Sequence, residues 1–110
     1  MKNAQLKAVE AAKAGLTGKE LDAVCRYYIT SEGYGQFFKH TTGHGLGLDV
    51  HEAPSVASRN TEPLLEGSCV TIEPGIYITG VGGVRIEDDV VITKTGCIVL
   101  TNSSKELIIL

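Results

Sequence analysis

Thirteen residues constrain this chain more than any others. His40-Thr-Thr-Gly-His-Gly-Leu-Gly-Leu-Asp-Val-His-Glu52 holds all three histidines of the protein and three of its 13 glycines. His40 and His44 have the i, i+4 spacing of a helical zinc pair. Thr41, Thr42 and Gly43 between them are poor helix residues, however, and two more glycines follow. A helical metalloprotease motif is therefore excluded. The residues predict instead a turn that opens at Gly43, Gly45 and Gly47, lets backbone and ligand approach closely, and runs into a short strand, Leu48 to His51. His44 is then expected at the turn and His51 at the strand's far end. A lone histidine near glycines is usually a surface turn residue or a satisfied core residue. Three within twelve positions suggest a site, and metal binding is the commonest use of a neutral imidazole.

The rest of the chain narrows the function class. At 110 residues it is one small domain with room for a real core, and its hydrophobic content, 43%, is ordinary. A formal charge of -3 with no lysine or arginine cluster argues against nucleic acid as a partner. No apolar run is long enough for a membrane span, and the Lys- and Ala-rich start lacks a signal-peptide core, so the expected location is cytoplasmic. Cys25, Cys69 and Cys97 are odd in number and lack a CxxC pattern. They read as free, mostly buried thiols in a reducing compartment, with Cys69 near the site discussed below.

Taken in order, residues 1–14 are rich in helix formers, with Leu6, Val9 and Lys13 on one modestly apolar face and Gly15 placed to end the helix. Thr17 to Glu20 has the form of a capping box. It predicts a second helix through about Thr30, burying Leu21, Val24, Cys25, Tyr28 and Ile29, which Gly33-Tyr34-Gly35 stops. Phe37 and Phe38 read as core anchors ahead of His40. Ala53 to Pro63 has two prolines and reads as a loop, in which Arg59 is either a solvated charge or a substrate contact.

From Ser68 the pattern becomes strands. Cys69, Thr71 and Glu73 share one face, Val70 and Ile72 the other. Pro74-Gly75 breaks this strand and Ile76 to Thr79 resumes it. A tight turn at Gly80 to Gly83 then leads into a strand from Val84 to Thr93, with Arg85, Glu87 and Asp89 on one side. Lys94 to Gly96 predicts a hairpin into Cys97 to Thr101, and Glu106 to Leu110 a packed terminal strand. Two helices followed by an antiparallel sheet make an α+β fold.

Glu73 and Glu87 lie among valines and isoleucines, where an unpaired carboxylate is costly, so something positive should meet them. Either alone would be an ordinary strand glutamate paired with Arg85 or Lys94. Together with His44 they form a nitrogen-plus-carboxylate set suited to manganese, cobalt, iron or zinc. Three protein ligands with open positions suit catalysis better than structure.

These residues also carry a resemblance. TGHGLGLDVHEAP, TIEPGIYI and GVRIEDD, in that order, resemble the three signatures of the pita-bread metallopeptidases, particularly the proline-specific branch of aminopeptidase P and Xaa-Pro dipeptidase (prolidase). The likeness extends from the AAKAGLTGKELD start to the closing hairpin. Methionine aminopeptidases share GHG and TIEP, but His40, PGIY and GVRIED favour the proline branch. The resemblance implies a centre of two divalent ions, manganese above cobalt, zinc or iron, that hydrolyses Xaa-Pro bonds in proline-containing peptides. It implies His44, Glu73 and Glu87 as metal ligands, with Glu87 bridging and Glu73 also the proton acceptor from the attacking water. His51 would hydrogen-bond the substrate, His40 line the proline side of the pocket, and Arg85 orient the carboxylates.

One departure accompanies it. The family's two aspartate ligands come from a DxG...D segment upstream of the first helix here. The only aspartates present, Asp22, Asp49, Asp88 and Asp89, do not fit those positions. Residues 1–110 are thus expected to be the C-terminal half of a catalytic domain whose N-terminal half is absent, inactive alone and prone to self-association or to pairing with the missing half. The alternatives are a pita-bread relative that binds peptides or proteins without catalysis, and a methionine aminopeptidase-like enzyme.

Overall fold

Thr17 opens the larger helix. The computed structural model describes residues Met1–Leu110, and in it the Thr17 hydroxyl accepts the Glu20 amide at 3.0 Å, capping α2 (Gly18–Ser31). Leu21, Cys25 and Ile29 form its buried stripe, with Val24 and Tyr28 packed at the margin. Asp22, buried on the same helix, was not expected there.

The first helix, α1 (Lys2–Ala11), presents a different face from the one predicted. Ala4, Ala8 and Ala12 are fully buried, while Leu6 and Val9 lie at the edge and Lys13 is exposed. Small side chains let α1 lie close against α2. The helix also ends before Gly15. Ala12 turns extended, and the chain then reaches Thr93 O through the Ala14 amide and Leu64 O through the Gly15 amide, each at 2.9 Å. Hydrogen bonds to other elements thus replace the helix's last turn.

Seven strands follow: β1 (Gly43–Gly45), β2 (Glu52–Val56), β3 (Cys69–Ile72), β4 (Gly75–Ile78), β5 (Gly82–Arg85), β6 (Asp88–Ile92) and β7 (Cys97–Val99). Five form an antiparallel sheet in the order β2-β1-β3-β6-β7, and β4 pairs with β5 in a separate hairpin. Val70, Ile72, Val90 and Ile92 are buried from the sheet, and Phe38, Val56 and Leu64 complete the core with the helices.

The strand lies at Gly43–Gly45 rather than Leu48–His51, so His44 is a strand residue and His51 ends an exposed bend. Ala53–Val56 is edge strand rather than loop, and Pro54 is tolerated because an edge strand leaves amides outside the ladder. The long strand from Val84 is interrupted at Ile86 and Glu87. Pro74 breaks β3 from β4, and the partner strand breaks opposite it. Finally, Glu106–Leu110 is not a strand: β7 receives no further neighbour, and Leu107, Ile108, Ile109 and Leu110 are exposed.

The interruption has a consequence for the glutamates. Ile72 pairs with Asp88 and Gly75 with Arg85 in one continuous register, so Glu73 comes opposite Glu87. No helix of the chain is long and apolar enough to cross a membrane.

Candidate functional site

His44 is held by two close backbone contacts. A Cβ on Gly43 would stand 1.8 Å from Thr71 O, and one on Gly45 2.1 Å from Ala53 O, so only glycine lets β1 lie between β2 and β3. Between these glycines the imidazole is oriented twice. Its Nδ1 lies 2.8 Å from Gly45 O, and because a carbonyl only accepts, Nδ1 carries the hydrogen. Nε2 is thereby left 2.9 Å from Glu73 Oε1. Two acceptors meet at that distance only with a proton or a shared cation between them.

Glu73 is itself fixed. The Thr71 hydroxyl donates to Glu73 Oε1 at 2.9 Å and accepts the His44 amide at 3.1 Å. Sequence reading placed Thr71 on Glu73's face but gave it no role. Arg85 Nε lies 3.6 Å from Glu73 Oε2, and its Nη2 lies 3.9 Å from Glu87 Oε2. These are ion-pair distances, too long for hydrogen bonds. Burial pushes the Glu87 carboxyl above its ordinary value, and Glu73 pushes it further, while Arg85 and His44 pull it back.

The other histidines occupy the two flanks. His51 meets His44 edge-on, with ring centroids 4.8 Å apart. His40 donates from Nδ1 to Thr41 O at 2.8 Å, so its Nε2 accepts from the Tyr77 hydroxyl at 3.0 Å. All three histidines line an open groove of about 850 Å³ whose walls also carry Arg26, Lys39 and Arg59. Glu73, Arg85 and Glu87 are not in its lining. Those three are joined to the groove through His44.

The donor chemistry of His44 and Glu73 suits a divalent ion, but no three His, Cys, Asp or Glu side chains gather at one point. The aspartates do not supply the deficit. Asp22 is bound to Arg26 and Asp88 to Gln5 and Lys105, both buried, Asp49 is exposed, and Asp89, near enough to raise the Glu87 carboxyl, completes no group of three. The cysteines are free; Cys25 is buried, with its thiol pushed up to about 12, first by burial and then by Asp22. Cys69 and Cys97 are only half-buried, less than expected.

Residues 1–94 match metallopeptidase family M24. The chain is 55% identical over 105 residues to an Xaa-Pro dipeptidase of Pyrococcus horikoshii, covering 96% of this chain and 30% of that protein. It superposes on the Xaa-Pro dipeptidase from Bacillus anthracis with a TM-score of 0.97 and 59% identity, covering 99% of this chain and 31% of the other. For the X-Pro aminopeptidase from Thermotoga maritima MSB8 the TM-score is 0.92 and the identity 50%, over 96% and 30% of the two chains. Helices, sheet and histidine strand therefore define a pita-bread metallopeptidase fold, as the sequence signatures implied. The chain belongs to metallopeptidase family M24, and it spans about 30% of the length of the relatives it matches.

Proposed function

We propose that the protein serves metal-dependent hydrolysis of Xaa-Pro peptide bonds, as a dipeptidase or aminopeptidase. The observation that carries this reading is the His44–Glu73 contact: Nδ1 is committed to Gly45 O, and Nε2 faces a carboxylate oxygen at 2.9 Å. Metal-ligating histidines are commonly oriented in this way, by donating their other ring hydrogen to a carbonyl.

His44, Glu73 and Glu87 are the residues that would hold divalent ions, manganese foremost, with cobalt, zinc or iron as alternatives. Such ions, when bound, lower the pKa of a water to about 7 and polarise the scissile carbonyl. Glu73, already holding a hydrogen bond from Thr71 on Oε1, accepts the water's proton. Arg85 reaches toward both carboxylates and keeps them oriented. His51 is the donor to the substrate beside His44, and His40, braced by Tyr77, lines the side of the groove that receives proline. Lys39 and Arg59, against Glu52, leave the groove wall with an excess positive charge suited to a peptide carboxylate, Arg26 being paired with Asp22. Proline calls for a dedicated site because it presents no amide hydrogen to an extended-strand binder.

The 110 residues are read as the C-terminal half of the catalytic domain. Their coverage of relatives, about 30%, supports this. The exposed Ile98, Val99 and Leu100 along β7 supply a surface for a missing N-terminal half or a second copy. Three free thiols suit a cytoplasmic location.

The test is Xaa-Pro hydrolysis with added manganese, comparing this chain and a longer chain carrying the upstream aspartates, each against its Glu73→Gln variant. Activity in the longer chain alone, abolished by Glu73→Gln, is the expected result. A longer chain as inactive as its variant would defeat the peptidase reading.

A further inference from the structure

Asp22 and Arg26 lie outside the three signatures, yet they form the most connected ion pair in the protein. Arg26 donates to both carboxylate oxygens of Asp22, Nε to Oδ2 at 2.8 Å and Nη2 to Oδ1 at 3.0 Å. Two further donors leave the pair: Nη1 to Phe38 O and Nη2 to His40 O, both at 3.0 Å. Four of the guanidinium's five N–H groups are thus used, while its face lies over the Phe38 ring at 4.1 Å. Asp22 Oδ1 also accepts the Thr42 hydroxyl at 2.8 Å and, at 3.2 Å, shares the Thr42 amide with Val56 O at 3.0 Å.

A half-buried pair serving only stability needs to satisfy its own charges. This pair instead binds three alternate residues, Phe38, His40 and Thr42, of the segment that carries His40 to the groove and enters β1. The same segment then reaches Glu73, whose amide donates to Thr42 O at 2.6 Å. One connected path therefore runs from α2 through residues 38–42 to the backbone of Glu73. It passes through fixed hydrogen bonds at every step.

We infer that Asp22 and Arg26 are positioning residues that set where His40 stands on the groove wall and where Glu73 leaves β3. Arginine is required because a planar fork can bind a carboxylate and two carbonyls at once, whereas lysine offers the charge without the fork. What His40 and Glu73 do rests on the peptidase reading. That the pair places them does not.

The test uses the full chain with Arg26→Lys, which keeps the charge inside. Amide hydrogen exchange is measured together with the imidazole ¹⁵N signals of His40, which report the hydrogens on its two nitrogens. Protection of the Thr42 and Glu73 amides is expected to fall at least about tenfold, the scale of a lost charged hydrogen bond. The His40 signals should shift, while Val90 and Ile92 amides stay within about twofold of native. A second pair covers the event that Arg26→Lys does not fold. Thr42→Val should lower the same protections and Thr42→Ser, which keeps the hydroxyl, should restore them. Native-like protection with unmoved His40 signals in Arg26→Lys, or equal protection in Thr42→Val and Thr42→Ser, overturns the inference. Hydrolysis of an Xaa-Pro dipeptide by the longer native chain is scored separately. If it is absent, the peptidase reading fails and the exchange result stands.

Discussion

Gly43 shows how little freedom single positions near His44 have. Its missing side chain is replaced by Thr71 O, and Gly43→Ala must push β1 away from β3. The expected loss is about 1–3 kcal/mol or more in urea unfolding, the range for overpacking a tight site. The need for glycine there was legible in the sequence as close backbone approach, although which backbone approached was not. Glu87 gives a second residue-level outcome, with a defined sign. Its carboxyl is raised above 4.5 by burial and by Glu73, and lowered by Arg85. Glu73→Gln should therefore bring the Glu87 titration down and Arg85→Gln should drive it up, as followed by carboxyl ¹³C NMR of the metal-free chain. Because the folded chain holds this proton to higher pH than the unfolded chain, Glu87's favourable contribution is complete below 4.5 and is lost as pH rises through the folded value.

Among the elements, α2 was the most readable from sequence. Thr17 caps it as the T-G-K-E pattern predicts, and Thr17→Ala should lower stability by about 1 kcal/mol, measured by urea denaturation. Its apolar stripe was also legible, because helical periodicity is local. Asp22 was not, since a carboxylate on a buried face makes sense only beside Arg26 and Thr42, four and twenty positions away. Cys25 sits within that stripe with a thiol pushed up to about 12. Iodoacetamide should modify Cys69 before Cys25 in the native chain, and all three cysteines in denaturant, with mass spectrometry resolving the order. Strands were read less well. Leu48–His51 alternates apolar and polar residues, but the ladder formed at Gly43–Gly45, because β1 must squeeze between two neighbours and only the glycines allow it.

At the scale of the whole molecule, the last ten residues divide in two. Lys105 forms an ion pair with buried Asp88 and donates to Gln5 Oε1 at 2.9 Å, tying the segment to α1 and β6. Lys105→Met would leave Asp88 buried without its cation and should cost about 3–5 kcal/mol in urea unfolding. Residues 107–110 are exposed, and removing them should change stability by no more than about 0.5 kcal/mol. The sequence suggested a packed strand there because it is apolar. Apolar composition cannot say whether a sheet edge is available to receive it.

The sequence by itself determined the second helix and the order of the signatures, and it singled out His44, Glu73 and Glu87 as candidate ligands, because capping, periodicity and residue chemistry act over a few positions. Tertiary structure decided how they meet. Pro74 breaks one strand and Ile86–Glu87 the other, and a continuous register across both breaks places Glu73 opposite Glu87. Gly45 O turns the His44 ring toward Glu73, Thr71 holds the Glu73 carboxylate and the His44 amide, and Asp22 with Arg26 fixes the backbone around His40. These contacts join residues distant in the chain, and their strength depends on burial and distance, which exist only once the core has closed.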